Sequence, residues 1–150
     1  MSSPSGAHYT VLIVDDNPWL LQILSTSLAE LDNLTIVTAR DGAEGLEQFY
    51  ETRPDCAVID VKMPELDGFQ LVRALRGDSE TAQTPIIILT ALVQDSARFV
   101  GLASGADQFL VKPVKPSELI AAIHRAIALR DEDRKRRLFE LSADQPAEES

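Results

Sequence analysis

Uninterrupted runs of branched apolar residues constrain the possible folds of this chain more than any other feature of its sequence. Residues 11–14, 56–59 and 86–89 are apolar at every position rather than at every second one. Short strands of this kind are buried on both faces, which is typical of parallel sheets covered by helices on each side. The sequence therefore predicts an α/β fold with a doubly wound parallel sheet.

Stretches with a helical period separate these runs, so the whole pattern is that of five strand–helix units. The predicted strands are 11–14, 34–38, 56–59, 86–89 and 108–111. Predicted inward residues are Leu20, Leu24, Leu28 and Leu31 in the first helix, Ala43, Leu46 and Phe49 or Tyr50 in the second, and Phe69, Val72 and Leu75 in the third. A weaker fourth helix is predicted at 95–104 and a fifth from about Ser117. The first helix is expected to begin with Asn17 as its cap and Pro18 in its first turn.

The fifth helix is predicted to continue past the end of the folded unit. Its apolar stripe ends where a run of charged residues, 130–137, begins. Three acid-before-base pairs four residues apart within this run, such as Glu132 with Arg136, favour a continued helix. We therefore divide the chain into a folded domain at 9–130, a charged helical extension at 131–141 and a polar tail at 142–150, which is expected to be disordered.

Composition and charge exclude several classes of protein. The chain has a formal net charge of −10, which disfavours direct binding to nucleic acid. It has no apolar run near the ~20 residues that span a bilayer and no secretory signal pattern, so we expect no membrane association. The single cysteine, Cys56, agrees with a cytoplasmic location.

Polar residues follow four of the five predicted strands. Asp15 and Asp16 follow the first, Asp60 the third, Thr90 the fourth and Lys112 the fifth. Ligands of open parallel sheets bind beyond the carboxyl ends of the strands, so these side chains are expected to meet. The first turn lacks the glycines of a dinucleotide site.

Converging carboxylates repel one another unless a hard cation joins them, and Mg²⁺ suits a site of oxygen ligands. Lys112 adds a positive charge, and Thr90 adds a hydroxyl donor. A carboxylate beside a divalent cation, an ammonium and a hydroxyl suits covalent transfer of a phosphoryl group to that carboxylate. The product would be an acyl phosphate.

Four segments, in this order and spacing, resemble the receiver domains of bacterial response regulators. They are Asp15-Asp16, the run DVKMPELDG at 60–68, Thr90-Ala91 and the run GADQFLVKP at 105–113. The resemblance covers about residues 9–130. It implies a flavodoxin-like (βα)5 fold with strand order 2-1-3-4-5, similar to that of the chemotaxis response regulator.

The resemblance also implies a role for each matching residue. Asp60 would be the phosphoacceptor, and Asp15, Asp16, Asp60 and the backbone carbonyl of Lys62 would hold Mg²⁺. Thr90 and Lys112 would contact the phosphoryl oxygens. Phe109 would be the switch aromatic, turning inward as the Thr90 hydroxyl moves.

The resemblance implies a signalling role in a two-component phosphorelay as well. The phosphoryl donor would be a phosphohistidine on a sensor histidine kinase or a phosphotransfer protein. Output would leave from the face of the fourth helix, fifth strand and fifth helix, through a partner or a homodimer formed there or along the extended last helix. Such a chain is not an enzyme on other substrates: it catalyses only its own phosphorylation and dephosphorylation.

The sequence fits two other functions less well. A magnesium phosphohydrolase of the haloacid-dehalogenase type needs a nucleophile after the first strand and a second acid two residues later, whereas Asp15 is followed by Asp16 and Asn17. A transcription factor needs a DNA-binding domain, and the ~40 residues after Lys112 are too few for the fifth helix and such a domain. The chain either works alone or belongs to a longer protein.

Overall fold

A five-stranded parallel sheet with the strand order β2-β1-β3-β4-β5 forms the centre of the protein. The computed structural model describes residues 8–29, 33–60, 68–90 and 105–148. The strands are β1 (Tyr9–Val14), β2 (Leu34–Ala39), β3 (Cys56–Asp60), β4 (Ile86–Thr90) and β5 (Gln108–Val111). The helices within these residues are α1 (Pro18–Ala29), α2 (Gly42–Thr52), α3 (Gly68–Gly77) and α4 (Pro116–Glu148). The predicted fold class and strand order are confirmed; the helix predicted at 95–104 lies outside the described residues.

Successive residues of the central strands alternate between two apolar layers. Val11 and Ile13 point into a layer shared with α1 and α4, whereas Leu12 and Val14 point into a layer shared with α2 and α3. All four side chains are fully buried. The uninterrupted apolar runs are therefore explained by a sheet that has helices on both faces.

Asn17 caps α1 as predicted. Its side-chain Oδ1 accepts hydrogen bonds from the backbone N–H groups of Trp19 at 3.0 Å and Leu20 at 3.2 Å. Leu24 and Leu28 are buried and Leu20 is half-buried, so the predicted stripe faces the sheet. Leu31 lies outside the described residues.

The inward face of α2 differs from its prediction. Phe49 is buried and Leu46 is half-buried, but Ala43 and Tyr50 are exposed. The positions nearest the sheet are instead Gly42 and Gly45. Hydrophobic periodicity gives no weight to glycine. The pattern therefore predicted Ala43 on the inward face of α2, where Gly42 and Gly45 lie instead.

The last helix is tied to the amino end of the sheet at the point where its apolar stripe ends. Arg130 donates to Asp55 at 2.8 Å, and Tyr9 donates through its hydroxyl to Asp131 at 3.3 Å. Asp55 is itself held by the backbone N–H of Thr10 at 2.8 Å. The helical extension at 131–141 is present, and the backbone of 142–148 continues the helix where the sequence predicted a disordered tail.

The close approach of α2 to the sheet gives a stability prediction for Gly45→Ala. The new Cβ would lie 3.0 Å from one methyl group of Val14 and 3.3 Å from Leu71, both fully buried. Overpacking should outweigh the gain in helix propensity and lower the free energy of unfolding by roughly 1 to 2 kcal/mol. Urea unfolding followed by circular dichroism measures the change.

Gly77→Ala is the matched control because its Cβ would meet nothing within 4 Å at the end of α3. We expect its stability to be unchanged or raised by up to about 1 kcal/mol. Equal effects of the two substitutions would contradict the packing argument.

Candidate functional site

The carboxyl ends of the strands bring the predicted polar residues to one rim of the sheet. Asp15 directly follows β1, Asp60 ends the neighbouring strand β3, and Thr90 ends β4. Lys112 directly follows β5, whose Val111 is in register with Thr90. The strand order thus places these four positions side by side, where parallel sheets bind ligands.

Asp15, Asp16 and Asp60 form a carboxylate cluster at this rim. One oxygen from each of the three lies within 4.8 Å of the others. Asp15 and Asp60 are buried, at 0% and 3% exposure, whereas Asp16 is exposed. The cluster therefore has a buried floor and one side open to solvent, an arrangement that admits a cation.

Lys112 reaches into the cluster and contacts both buried carboxylates. Its Nζ lies 3.0 Å from Oδ2 of Asp15 and 3.3 Å from Oδ2 of Asp60. Burial lowers the pKa of Lys112, but the hydrogen bond and charge of Asp15 and the charge of Asp60 raise it by more. The pKa of Lys112 is therefore above its ordinary value, and the side chain is a fixed positive charge at neutral pH.

The turn after β1 holds Asp15 in a single orientation. Its Oδ1 accepts the backbone N–H of Asn17 at 2.9 Å, and its Oδ2 accepts from Lys112. The backbone N–H of Asp15 donates to Ala39 at 3.0 Å. The helix cap at Asn17 was predicted from the sequence, but its bond to Asp15 was not; the short polar turn Asp-Asp-Asn-Pro was the available signal.

The remaining predicted site residues are described only in part. The backbone of Thr90 lies at the rim, but its side chain is outside the described residues, as is Lys62. Phe109 on β5 is half-buried and packs against the layer of the core that contains Leu12 and Ile88. Its position agrees with the predicted switch aromatic, and that role stays a prediction.

A groove lies elsewhere, at the amino end of the sheet. It has a volume of about 740 Å³ and carries three ion pairs, Arg53 with Glu80, Arg76 with Asp107 and Arg130 with Asp55. Each acid there has its own base, so these pairs join neighbouring segments at this end of the sheet. The rim differs because Asp15 and Asp60 share one lysine.

The contacts of Lys112 generate a stability prediction for Lys112→Met in metal-free buffer. Removal of the ammonium leaves two buried carboxylates facing each other, and we expect the free energy of unfolding to fall by about 1 to 3 kcal/mol. This is less than the ~3–5 kcal/mol typical of a fully buried pair, because the Lys112 side chain is 23% exposed. Urea unfolding in the presence of a chelator measures the loss.

Lys115→Met is the control, because Lys115 is exposed and its loss changes the net charge equally. A similar stability of the two variants would show that Lys112 does not compensate the carboxylates.

No helix among the described residues is both long and apolar enough to span a bilayer.

The sequence matches one family model and is similar to several known proteins. Residues 11–124 match the family model of the response regulator receiver domain. The chain is 44% identical over 117 residues to the probable transcriptional regulator ycf27 of Guillardia theta, covering 78% of this chain and 44% of that protein. It is 42% identical over 113 residues to the transcriptional regulatory protein PrrA of Mycobacterium leprae, covering 75% and 47%. The chain spans about half the length of the curated relatives it matches.

Solved structures share the fold. The chemotaxis protein CheY4 of Vibrio cholerae superposes with a TM-score of 0.75 at 36% identity, covering 80% of this chain and 99% of that one. The receiver domain of the sensor histidine kinase PA1611 from Pseudomonas aeruginosa, which has a magnesium ion coordinated in its active-site cleft, gives a TM-score of 0.74 at 29% identity and covers 81% and 99%. Together with the sheet order and the acidic rim, the match over residues 11–124 shows that this chain belongs to the receiver domain family of two-component response regulators.

Proposed function

We propose that this chain is a phosphorylation-controlled switch in which Asp60 accepts a phosphoryl group from a phosphohistidine donor. The observation that carries the proposal is the position of Asp60 at the end of β3, beside the carboxylates of Asp15 and Asp16 and 3.3 Å from the ammonium of Lys112. A nucleophilic carboxylate in such surroundings is suited to phosphoryl transfer.

The carboxylate cluster fits Mg²⁺ as the resident cation. The donors are three carboxylate oxygens within 4.8 Å of one another, with Asp16 open to solvent, and Mg²⁺ prefers oxygen ligands and retains several waters. We assign Asp15, Asp16 and Asp60 as its ligands, with the backbone carbonyl of Lys62 as a further one. The magnesium ion in the PA1611 receiver domain supports this assignment. When bound, the ion would neutralise negative charge on the phosphoryl oxygens.

The transfer step is a displacement at phosphorus. A carboxylate oxygen of Asp60 attacks the phosphorus atom, the O–P bond forms as the P–N bond to the donor imidazole breaks, and the imidazole keeps the electron pair and takes up a proton. Lys112 donates to a phosphoryl oxygen and stabilises charge in the transition state. Asp15, held by Asn17 and Lys112, orients the lysine.

The output step follows from the neighbouring strands. We propose that the hydroxyl of Thr90 moves to the phosphoryl group and that Phe109 turns further inward from its half-buried position on β5. The face formed by the predicted fourth helix, β5 and the predicted fifth helix, which is α4, then binds a partner or a second copy. Phosphorylation would in this way shift the equilibrium between two conformations of that face.

The proposed partners are proteins: a sensor histidine kinase or phosphotransfer protein that donates the phosphoryl group, and an output partner. The chain would catalyse only its own phosphorylation and dephosphorylation. Relatives that are named transcriptional regulators are about twice as long as the matched region. With a net charge of −10, this chain is suited to protein contacts, and DNA binding would belong to a segment outside these 150 residues.

Phosphorylation by a small-molecule donor tests the proposal. With acetyl phosphate and Mg²⁺, we expect intact-mass measurement to show one added phosphoryl group on the wild-type chain and none on Asp60→Asn. Neutral hydroxylamine should remove the group because it is an acyl phosphate, and a chelator should prevent its addition.

Asp78→Asn is the matched control, since Asp78 bonds Tyr50 at the opposite end of the sheet and should not affect labelling. Labelling that persists in Asp60→Asn, or its absence from the wild-type chain, would refute the assignment.

Trp19 provides a reporter for the cation. It is 70% exposed and lies in the first turn of α1, three residues after Asp16. We expect a modest quenching of its fluorescence on titration with Mg²⁺, because cation binding rearranges the turn that carries Asp16. In Asp16→Asn the quenching should need a much higher Mg²⁺ concentration. An unchanged signal at saturating Mg²⁺ in the wild-type chain would exclude Trp19 as a neighbour of the site.

A further inference from the structure

The outer face of α4 carries an exposed stripe beyond the folded core. Leu129 and Phe139 are 59% and 75% exposed, and Glu132 and Arg136 between them are exposed as well. The four residues are three or four positions apart, so they share one side of the helix. Two large apolar side chains thus flank an acid and a base on a surface that faces solvent.

The anchoring contacts of α4 lie on the side of the helix opposite most of this stripe. Arg130 and Asp131, which bond Asp55 and Tyr9, follow Leu129 directly. At about 100° per residue, these two positions lie on the opposite side of the helix from the stripe. The stripe therefore points away from Asp55 and Tyr9, and its first residue, Leu129, lies at the margin of the groove at the amino end of the sheet.

We propose that the stripe is a self-association surface on which two copies of the chain pair their last helices in antiparallel orientation. A two-fold axis beside position 134 places Leu129 of one copy opposite Phe139 of the other. The same axis places Glu132 of one copy opposite Arg136 of the other. One register therefore pairs apolar with apolar and acid with base, and two-fold symmetry repeats each contact.

Charge selects the antiparallel orientation. In a parallel pair with the helices in register, Glu132 would face Glu132 and Arg136 would face Arg136 of the second copy. Like charges directly opposite each other are destabilising, whereas the antiparallel register turns both contacts into attractions. An unrelated partner would need its own complementary order of apolar, acidic, basic and apolar residues, which a second copy supplies by symmetry.

The register extends beyond the stripe. It carries the end of the helix, up to Glu148, alongside Ile120 of the second copy. Along this stretch the exposed positions on the same side of α4 are Ala121, Arg125 and Ala128, and Arg125 donates a hydrogen bond to Gln108 of its own chain at 3.2 Å. The interaction is separate from phosphoryl transfer at Asp60, because the stripe and the carboxylate cluster lie on opposite ends of the domain.

A charge reversal tests the pairing. By analytical ultracentrifugation of the 150-residue chain, Glu132→Lys should weaken the dimer at least about tenfold, since it places a lysine opposite Arg136 of the other copy in each of the two symmetric contacts. The combined exchange Glu132→Arg with Arg136→Glu should restore the wild-type dimer. The substituted residues are exposed, and circular dichroism serves to check that each variant is folded.

Glu47→Lys on α2 is the control, because it is an exposed acid whose reversal changes the net charge equally. It should leave the dimer intact. A wild-type chain that is monomeric at its highest soluble concentration, or an equal effect of Glu47→Lys and Glu132→Lys, would overturn the proposal. Repeating the measurement in Asp60→Asn separates it from the phosphorylation switch, since the dimer should form there as well.

Cross-linking tests the orientation. A mixture of Leu129→Cys and Phe139→Cys chains should form disulfides chiefly between position 129 of one copy and position 139 of the other under mild oxidation. The native Cys56 does not interfere, because it is buried and burial raises its pKa to about 12. A predominance of 129-to-129 disulfides would show a parallel pair and overturn the register.

Discussion

The sharing of Lys112 by two buried carboxylates is the interaction on which the site depends. Asp15 and Asp60 are adjacent because β1 and β3 are adjacent, and both are almost fully buried. Two ionised carboxylates cannot remain there without a nearby positive charge. Lys112 supplies it from the end of β5, across β4, so all three inner strands and β5 must be in place for the rim to be stable.

The two ends of the sheet differ in how their charged side chains are paired. At the amino end, Asp55, Asp107 and Glu80 each have their own arginine. At the rim, the described residues supply one ammonium for three carboxylates. Paired charges fasten loops and α4 to the sheet, whereas the excess of negative charge at the rim leaves room for a cation. The groove at the amino end thus differs from the rim, where Asp15 and Asp60 share Lys112.

Much of this could be predicted from the sequence because strand ends converge in any parallel sheet. The apolar runs located every strand to within two residues at each end, and the polar residues after them identified Asp15, Asp16, Asp60 and Lys112. The inward face of α2 was missed because glycine, which allows Gly45 to approach Val14, has no hydrophobic signal. The bond from Asn17 to Asp15 was missed because it depends on the path of a turn. Residues 142–148 were expected to be disordered from composition alone, yet they extend a helix that already exists.

That last point explains how a highly charged segment can present an ordered surface. An isolated helix of this length is marginal in water because its first turn is costly to form. In α4 the first turns are packed against the sheet through Leu119, Ile123 and Ile127, so the extension adds residues to a formed nucleus. Acid-before-base pairs four residues apart, such as Glu132 with Arg136, favour the helix within the charged run 130–137. The direction of the extension is fixed by Arg130 and Asp131, and a stripe that starts at Leu129 must therefore leave the domain at one defined angle. A stripe on a helix fixed by these contacts can favour a single register, because both copies present the same residues at the same distance from the folded domain.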